Sequence, residues 1–334
     1  MELPMTDLPP FARNAVNLAS AGLGARALFA TDDFFAEVGR MLADAPAVFY
    51  PDKYDDHGKW MDGWESRRRR GPGHDYAVVR LATAGVIRGF DIDTAHFTGN
   101  YPPAARIEAC DVPGEPDDKT AWTEILPMTP LGPSAHHYLE SRSAQVWTHV
   151  RLHIYPDGGV ARLRVFGEPH IDAAAHAGKL IDLASGLNGG HVVAYSDAHY
   201  GAFGRLLAPG RGLDMGDGWE TRRRRVPGND WIIIALGARG IVEKVELDTA
   251  HYKGNFPDSA SILAGEMPAG SDALEEAVVT SSMFWPELLP QSKLQADHIH
   301  VFEAVNATGP VTHIRLNIFP DGGISRVRIW GKLA

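Results

Sequence analysis

Alternating apolar and polar residues, a pattern typical of β-strands, fill two similar long stretches of the chain. The stretches "YAVVRLATAGVIRGFDIDTAHF", from Tyr76, and "WIIIALGARGIVEKVELDTAHY", from Trp231, are rich in Val and Ile. The stretches "VRLHIYPDGGVARLRVFG", from Val150, and "IRLNIFPDGGISRVRIWG", from Ile314, each place two alternating runs around Pro-Asp-Gly-Gly, which predicts hairpins. Helical periodicity is scarce and is strongest at residues 33–42. The pattern therefore predicts an all-β protein.

The paired stretches indicate that a whole domain is duplicated. "DGWESRRRR", from Asp62, returns as "DGWETRRRR", from Asp217, and "DTAHFTGN", from Asp93, returns as "DTAHYKGN", from Asp248. The repeated unit is far longer than the roughly 20–50 residues of a solenoid repeat. Many short strands with Gly and Pro turns predict a β-sandwich or jelly roll in each copy. We expect a first copy at residues 1–167, a linker at residues 168–178 and a second copy at residues 179–334.

Charge and cysteine content limit the partners and the compartment. The net charge of −10 argues against nucleic acid, and against an anionic membrane surface, as the main partner. Cys110 is the only cysteine, so no intrachain disulfide can form and a reducing compartment fits. No apolar run approaches the length of a membrane span, and the N-terminal "MELPMTDLPPF" lacks the basic and apolar regions of a secretory signal. A cytoplasmic protein is expected.

The two runs of four arginines need an explanation in an acidic chain. On a strand, alternate residues point to opposite faces, so that Arg67 and Arg69 would share one face and Arg68 and Arg70 the other. One reading is a structural network with nearby carboxylates, for which the candidates are Asp62, Glu65, Asp91, Asp93 and their copies Asp217, Glu220, Glu246 and Asp248. The other reading is a pocket in which one or two guanidinium groups bind a small organic anion.

Other polar residues recur beside the predicted strand ends. His96 and His251 each precede an aromatic residue in a segment that leads to Asn100 or Asn255, where a turn and a functional loop are equally compatible with the pattern. His298 and His300 would share a strand face, but Ala135 stands where a duplicated metal site needs a ligand. No cofactor motif is found, and we expect no cofactor, although a divalent metal stays open as an alternative.

Several long motifs resemble those of the allantoicase family, along nearly the whole chain. They are "LFATDDFFA", "KWMDGWESRRRR", "FDIDTAHFTGNYPP", "PGRGLDMGDGWETRRRR" and "VELDTAHYKGNFPD". The resemblance implies an all-β fold of two tandem jelly-roll domains of the galactose-binding-like kind. It also implies hydrolysis of allantoate, a small-molecule substrate, to ureidoglycolate and urea in purine degradation, and a homo-oligomeric assembly.

The chemistry of this reaction selects candidate residues among the repeated ones. Allantoate carries one carboxylate and two ureido groups on a single carbon, so the site needs a carboxylate clamp, polar groups for the ureido arms and a proton-transfer residue. The predicted catalytic residues are His96, His251, Glu65, Glu220, Asp32 and Asp197. The predicted substrate-binding residues are Arg67, Arg69, Arg222, Arg224, Arg151, Arg315, Asn100, Asn255, His149 and His313. No metal ligand is assigned, and one site or two per chain stay open.

The alternative is a non-catalytic tandem jelly-roll module that binds a small anionic or sugar ligand. Because fold does not determine function, the choice depends on the residues of the site. A sugar-binding module is expected to display loop aromatics, whereas the repeated blocks here are dominated by arginine and histidine. The sequence therefore favours the enzyme.

Overall fold

Two compact units divide the chain, Met1–His170 and Ile171–Ala334. The computed structural model describes residues 8–13, 15–201, 203–271 and 274–334, so most of the N-terminal segment considered above, residues 1–7, lies outside the described residues. Both units consist mainly of antiparallel strands, which confirms the all-β fold class and the duplication. Within the described residues, no helix is long and apolar enough to cross a membrane.

Within its described residues, the first unit contains twelve strands and one short α-helix, α1, at Pro10–Arg13. The strands are β1 (Val16–Asn17), β2 (Arg26–Ala30), β3 (Tyr54–Asp55), β4 (Gly58–Lys59), β5 (Trp64–Glu65), β6 (Asp75–Asp93), β7 (Ala104–Cys110), β8 (Thr123–Pro130), β9 (Tyr138–Glu140), β10 (Val146–Tyr155), β11 (Gly159–Val160) and β12 (Arg162–Pro169). The segment predicted to be helical at residues 33–42 contains only a 3₁₀ helix at Val38–Leu42.

The second unit repeats this order without counterparts of β3 and β4 among its described residues, and it has one more helix. Its helices are α2 (Ala173–His176) and α3 (Glu275–Ser282), of which α3 was not predicted. Its strands are β13 (Ile181–Asp182), β14 (His191–Tyr195), β15 (Trp219–Glu220), β16 (Asp230–Asp248), β17 (Ser259–Gly265), β18 (Glu287–Lys293), β19 (Ile299–Phe302), β20 (Val311–Phe319), β21 (Gly323–Ile324) and β22 (Arg326–Leu333).

The long strand β6 belongs to two ladders and thereby builds a sandwich. Its first part, residues 75–80, pairs with β10 and β2, and its last part, residues 85–93, pairs with β12 and β9. The start of β10 also pairs with Gly85 and Val86. The ladder continues from β10 to β7 and β8, and from β12 to β1. Apolar side chains from both ladders form one buried cluster, in which Ile107 and Leu152 meet Ile92 and Val165. Strand β16 has the same role in the second unit.

The predicted hairpin around Pro-Asp-Gly-Gly is wrong in both units. Strands β10 and β12 flank the segment but pair along opposite edges of β6, not with each other. The backbone after the turn instead pairs with β5, where Gly159 lies opposite Glu65. The turn therefore carries the chain from one ladder to the other and fixes Glu65 at the end of the sandwich, which positions the site described below.

One duplicated position differs in charge between the units. Oδ1 of Asn17 accepts hydrogen bonds from the backbone N–H groups of Ala19 and Val165. Oδ1 of Asp182 accepts the equivalent two bonds, from Ala184 and Ile329, but Asp182 can ionise. Burial raises the pKa of Asp182 to about 6, against the opposing effect of these bonds and of the charge on Arg328.

Replacement of Asp182 by Asn is expected to change the pH dependence of stability. A carboxyl group with a raised pKa in the folded state stabilises the fold below its unfolded pKa of about 4, and this contribution is lost as the pH rises towards 6. Asp182→Asn should therefore gain about 2–3 kcal/mol in the free energy of unfolding, relative to the parent, between pH 4 and pH 7. Urea denaturation across this range measures it, and a pH-independent difference would contradict the account.

Candidate active site

The arginine run of the first unit follows β5 in an extended segment that is not part of a strand. Arg67 pairs with Asp32, Arg68 with Asp157 and Arg69 with Asp75, at 2.6, 3.1 and 2.6 Å respectively. The predicted strand and the predicted carboxylate partners of this run are therefore wrong.

The expected carboxylates are occupied elsewhere. Asp62 accepts a 2.7 Å bond from the buried guanidinium of Arg162, and Asp91 accepts a 2.8 Å bond from His136. In the second unit Asp217 is likewise paired with the buried Arg326. Asp157 was not predicted as a partner of the arginines, although it lies in the repeated "PDGG" motif, because this motif was interpreted only as a turn.

Asp32 and Arg67 form an exposed ion pair at this end of the unit. The backbone N–H and Nε of Arg67 donate to the two oxygens of Asp32, at 2.8 and 2.7 Å, while the Arg67 side chain keeps 62% of its surface exposed. Burial raises the pKa of Asp32, but the hydrogen bonds from Arg67 outweigh it and hold the pKa below its ordinary value. Arg222 and Asp197 repeat the pair in the second unit, at 2.8 Å. An ionised Asp32 thus orients a guanidinium that still faces solvent.

Glu65 is the titratable group of this cluster whose environment favours the neutral acid. Burial raises its pKa, although a 2.7 Å hydrogen bond from Asn100 Nδ2 and the charge of Arg68 act in the opposite direction. Nη2 of Arg68 donates to the carbonyl of Gly99, next to Asn100, so the cation and the acid are held on the same loop. In the second unit, Asn255 donates to Glu220 in the same way.

Arg69 is held more deeply than its neighbours. Its Nη2 lies 2.6 Å from Asp75, whose side chain is 2% exposed and also accepts from Thr31. The copies Arg224 and Asp230 repeat this pair at 2.8 Å. This geometry favours a structural role for Arg69 and Arg224, whose predicted role in substrate binding stays a prediction.

His96 and His251 occupy tight turns with positive φ angles of 69° and 70°. The ring nitrogen Nε2 of His96 lies 3.2 Å from the carbonyl of Ala47, and that of His251 lies 2.8 Å from the carbonyl of Gly212. Among the described residues, no hydrogen bond connects either ring to the Glu65 or Glu220 cluster. Their predicted catalytic role stays a prediction that geometry does not favour.

The remaining predicted binding residues lie on the outer face of the sheet rather than at its end. Nε and Nη2 of Arg151 lie 2.8 and 2.5 Å from one oxygen of Glu108. Arg315 has no carboxylate partner among the described residues and donates instead to Ser282 and Asn317. The buried histidines His149 and His313 each bond to the preceding threonine, Thr148 or Thr312. Within the described residues, no three His, Cys, Asp or Glu side chains form a group that could hold a metal ion.

Replacement of Arg67 and replacement of Arg69 by alanine are expected to have different effects on the free energy of unfolding. Arg69→Ala leaves the buried carboxylate of Asp75 without its cation, which should lower the free energy of unfolding by about 3 kcal/mol. Arg67→Ala, which removes an exposed side chain, should leave the unfolding free energy near the parent value. Thermal and urea denaturation of both variants measure this difference; equal losses would contradict the assignment.

The chain matches the family model described as the allantoicase repeat twice, at residues 16–170 and 181–334. It is 59% identical over 329 residues to a probable allantoicase of Rhizobium meliloti (strain 1021), covering 98% of this chain and 96% of that protein. It is 58% identical over 338 residues to probable allantoicase 1 of Burkholderia mallei (strain ATCC 23344), covering 100% and 99%.

A solved structure agrees with these relatives. The crystal structure of allantoicase from Saccharomyces cerevisiae is 35% identical in sequence and superposes with a TM-score of 0.80. The match covers 95% of this chain and 93% of that chain. Together with the two repeat matches, this similarity shows that the chain belongs to the allantoicase family.

Proposed function

We propose that the chain hydrolyses allantoate to ureidoglycolate and urea, and that the cluster around Glu65 and its copy around Glu220 carry the reaction. Membership of the allantoicase family supports the reaction. The observation that supports the site is a half-buried glutamate with a raised pKa, bonded to Asn100 and adjacent to the exposed Arg68. Glu65 is thus a predicted catalytic residue with a raised pKa that lies beside an exposed guanidinium group.

The arginines supply the clamp for the substrate carboxylate. A planar guanidinium binds a carboxylate through two parallel hydrogen bonds, and both Arg67 and Arg68 keep about three fifths of their side-chain surface exposed, 62% and 60%. Their existing carboxylate partners hold them in place without covering them. Arg68 was not among the predicted binding residues, because the assumed strand alternation assigned it to the opposite face.

Glu65 is suited to both proton transfers of the reaction. Its protonated carboxyl group donates to the ureido nitrogen as the bond between that nitrogen and the central carbon breaks. The resulting carboxylate then accepts a proton from the water that forms the new carbon–oxygen bond, so that urea carries away the first proton and Glu65 is restored. This order of transfers requires urea to depart first, so that the remaining ureido nitrogen forms a C=N double bond to the central carbon, to which the water then adds.

Urea release by the purified full-length chain tests the proposed reaction. Allantoate should yield urea and ureidoglycolate in equal amounts. Binding of allantoate or of a sugar without urea release would instead support a non-catalytic binding module, the alternative left open by the sequence.

Replacement of both glutamates by glutamine is expected to remove the activity. Loss of a general acid–base residue costs about 10²-fold or more in kcat, so the double variant Glu65→Gln/Glu220→Gln should fall by at least this factor. Each single variant reports the share of activity that its copy supplies. Glu243→Gln, which alters an exposed ion pair with Lys332, is the matched control and should keep parent activity.

The same assay tests the prediction that His96 and His251 are proton-transfer residues. A double variant His96→Ala/His251→Ala that folds and keeps full activity would rule out these histidines as proton-transfer residues. A double glutamine variant with full activity would rule out Glu65 and Glu220.

We also propose a cytoplasmic homo-oligomer. A single buried cysteine, Cys110, suits a reducing compartment, and the family resemblance supports assembly. Light scattering of the purified chain should give a multiple of 36.3 kDa, and a monomer at micromolar concentration would contradict the proposed assembly.

A further inference from the structure

A chain of three titratable side chains lies on the outer face of the first unit's sheet, away from the Glu65 cluster. Nε2 of His153 lies 2.9 Å from a carboxylate oxygen of Glu108, and Nδ1 of His153 lies 2.8 Å from Nε2 of His74. His153 is buried, and His74 and Glu108 are half-buried. We call Glu108, His153 and His74 the relay.

The hydrogen bonds determine which nitrogen of each ring carries the proton. Hydrogen bonds and charges from Arg151 and His153 hold the pKa of Glu108 low despite its burial, so Glu108 is an ionised acceptor. Burial lowers the pKa of His153 to about 4, so this ring is neutral at pH 7 and donates from Nε2 to Glu108. Its Nδ1 must then accept, which requires His74 to donate from Nε2.

His74 therefore presents the lone pair of Nδ1 as a proton acceptor. No hydrogen-bond partner for this atom lies within the described part of the chain. The ring is held by stacking on Tyr155, with centroids 4.2 Å apart. A histidine whose far nitrogen is fixed by a partner linked to a carboxylate has the arrangement of a general base.

The charged groups that face His74 keep it unprotonated near neutral pH. Burial and the positive charges of Arg106 and Arg69 lower its pKa, against the negative charges of Asp75 and Glu108. Arg106 itself is anchored by Tyr155 and Glu108, at 2.7 and 2.8 Å. Arg151 is also fixed by Glu108, and its guanidinium carbon lies 4.4 Å from the centre of the Trp122 ring. Arg106 thus lies near His74, and Arg151 lies near His153.

The second unit lacks all three members of the relay. The residues at the positions of His74, His153 and Glu108 are Asn229, Asn317 and Leu263, as the strand registers show for the last two. The equivalent face is instead covered by an apolar cluster that includes Val278 of α3. All three relay positions therefore differ between the copies, although the Glu65 cluster is repeated in both.

We propose that this face of the first unit is a second proton-transfer site, in which His74 accepts a proton from a small carboxylate-bearing ligand or its attacking water. His153 and Glu108 are positioning residues that fix the tautomer of His74 and stabilise its protonated form. The identity of the ligand as allantoate rests on the proposed function. The proton leaves an O–H or N–H group, enters Nδ1 of His74 and is returned when the product leaves, so no other reactant is needed.

The test compares relay variants with matched changes in the second unit of the full-length chain. His74→Asn and His153→Asn introduce the residues of the second unit, which suits folding, and Asn229→Ala is the control. The urea release that remains in the Glu65→Gln/Glu220→Gln variant should fall about 10-fold or more when His74→Asn is added, and should stay unchanged when Asn229→Ala is added. A folded protein in which His74→Asn leaves this remaining release intact, or a glutamine variant with no remaining release, would overturn the second site and leave the proposed function intact, whereas an inactive parent would contradict the proposed function.

A second readout is independent of activity. Nitrogen NMR of histidine-labelled protein should show His74 as the Nε2–H tautomer with a pKa below its ordinary value. Glu108→Gln should lower this pKa further, because the carboxylate that stabilises the protonated ring is gone. In the Glu65→Gln/Glu220→Gln variant, it should also move the acidic limb of the pH profile of the remaining activity to lower pH. If Glu108 had only a structural role, its replacement would lower the activity at every pH without moving the acidic limb of the pH profile. An Nδ1–H tautomer of His74 would overturn the relay.

Discussion

The pairing of arginine with buried carboxylates at the ends of the strands is the constraint on which the rest of each unit depends. A carboxylate such as Asp75 can be buried only because Arg69 and Thr31 satisfy it. The pair ties the arginine run to the first residue of β6, the strand shared by both ladders of the sandwich. With Arg69 fixed inward, Arg67 and Arg68 remain at the surface beside Glu65, where a carboxylate ligand can reach them.

The two units share this arrangement at the strand ends but differ on the outer face of the sheet. Arg222, Arg224 and Glu220 repeat three of the first unit's pairs, whereas the ion pair between Arg68 and Asp157 has no counterpart among the described residues of the second unit. On the outer face, Leu263 replaces Glu108, and the space above it is apolar. Selective retention of the strand ends is consistent with a common substrate-binding function there, while the relay belongs to the first unit alone.

Sequence patterns predicted the parts of the fold that depend on local periodicity and duplication. The long alternating run from Tyr76 lies in one strand, and both copies have the same strand order. The partners of the arginines could not be predicted, because Asp157 is distant in sequence and comes close to Arg68 only through the turn that follows β10. The hairpin prediction failed for the same reason, since adjacent strands need not pair with each other. His74 and His153 were not predicted because neither is repeated in the second copy, where Asn229 and Asn317 take their places.

The central claim is that allantoate binds at the end of each sandwich, against the arginine run and the glutamate. The measurement that tests it most directly is an experimental structure of the Glu65→Gln/Glu220→Gln variant with allantoate bound. The account predicts the substrate carboxylate on Arg67 or Arg68, with a ureido nitrogen within hydrogen-bond distance of residue 65. Allantoate bound elsewhere, with this end of both units vacant, would contradict it.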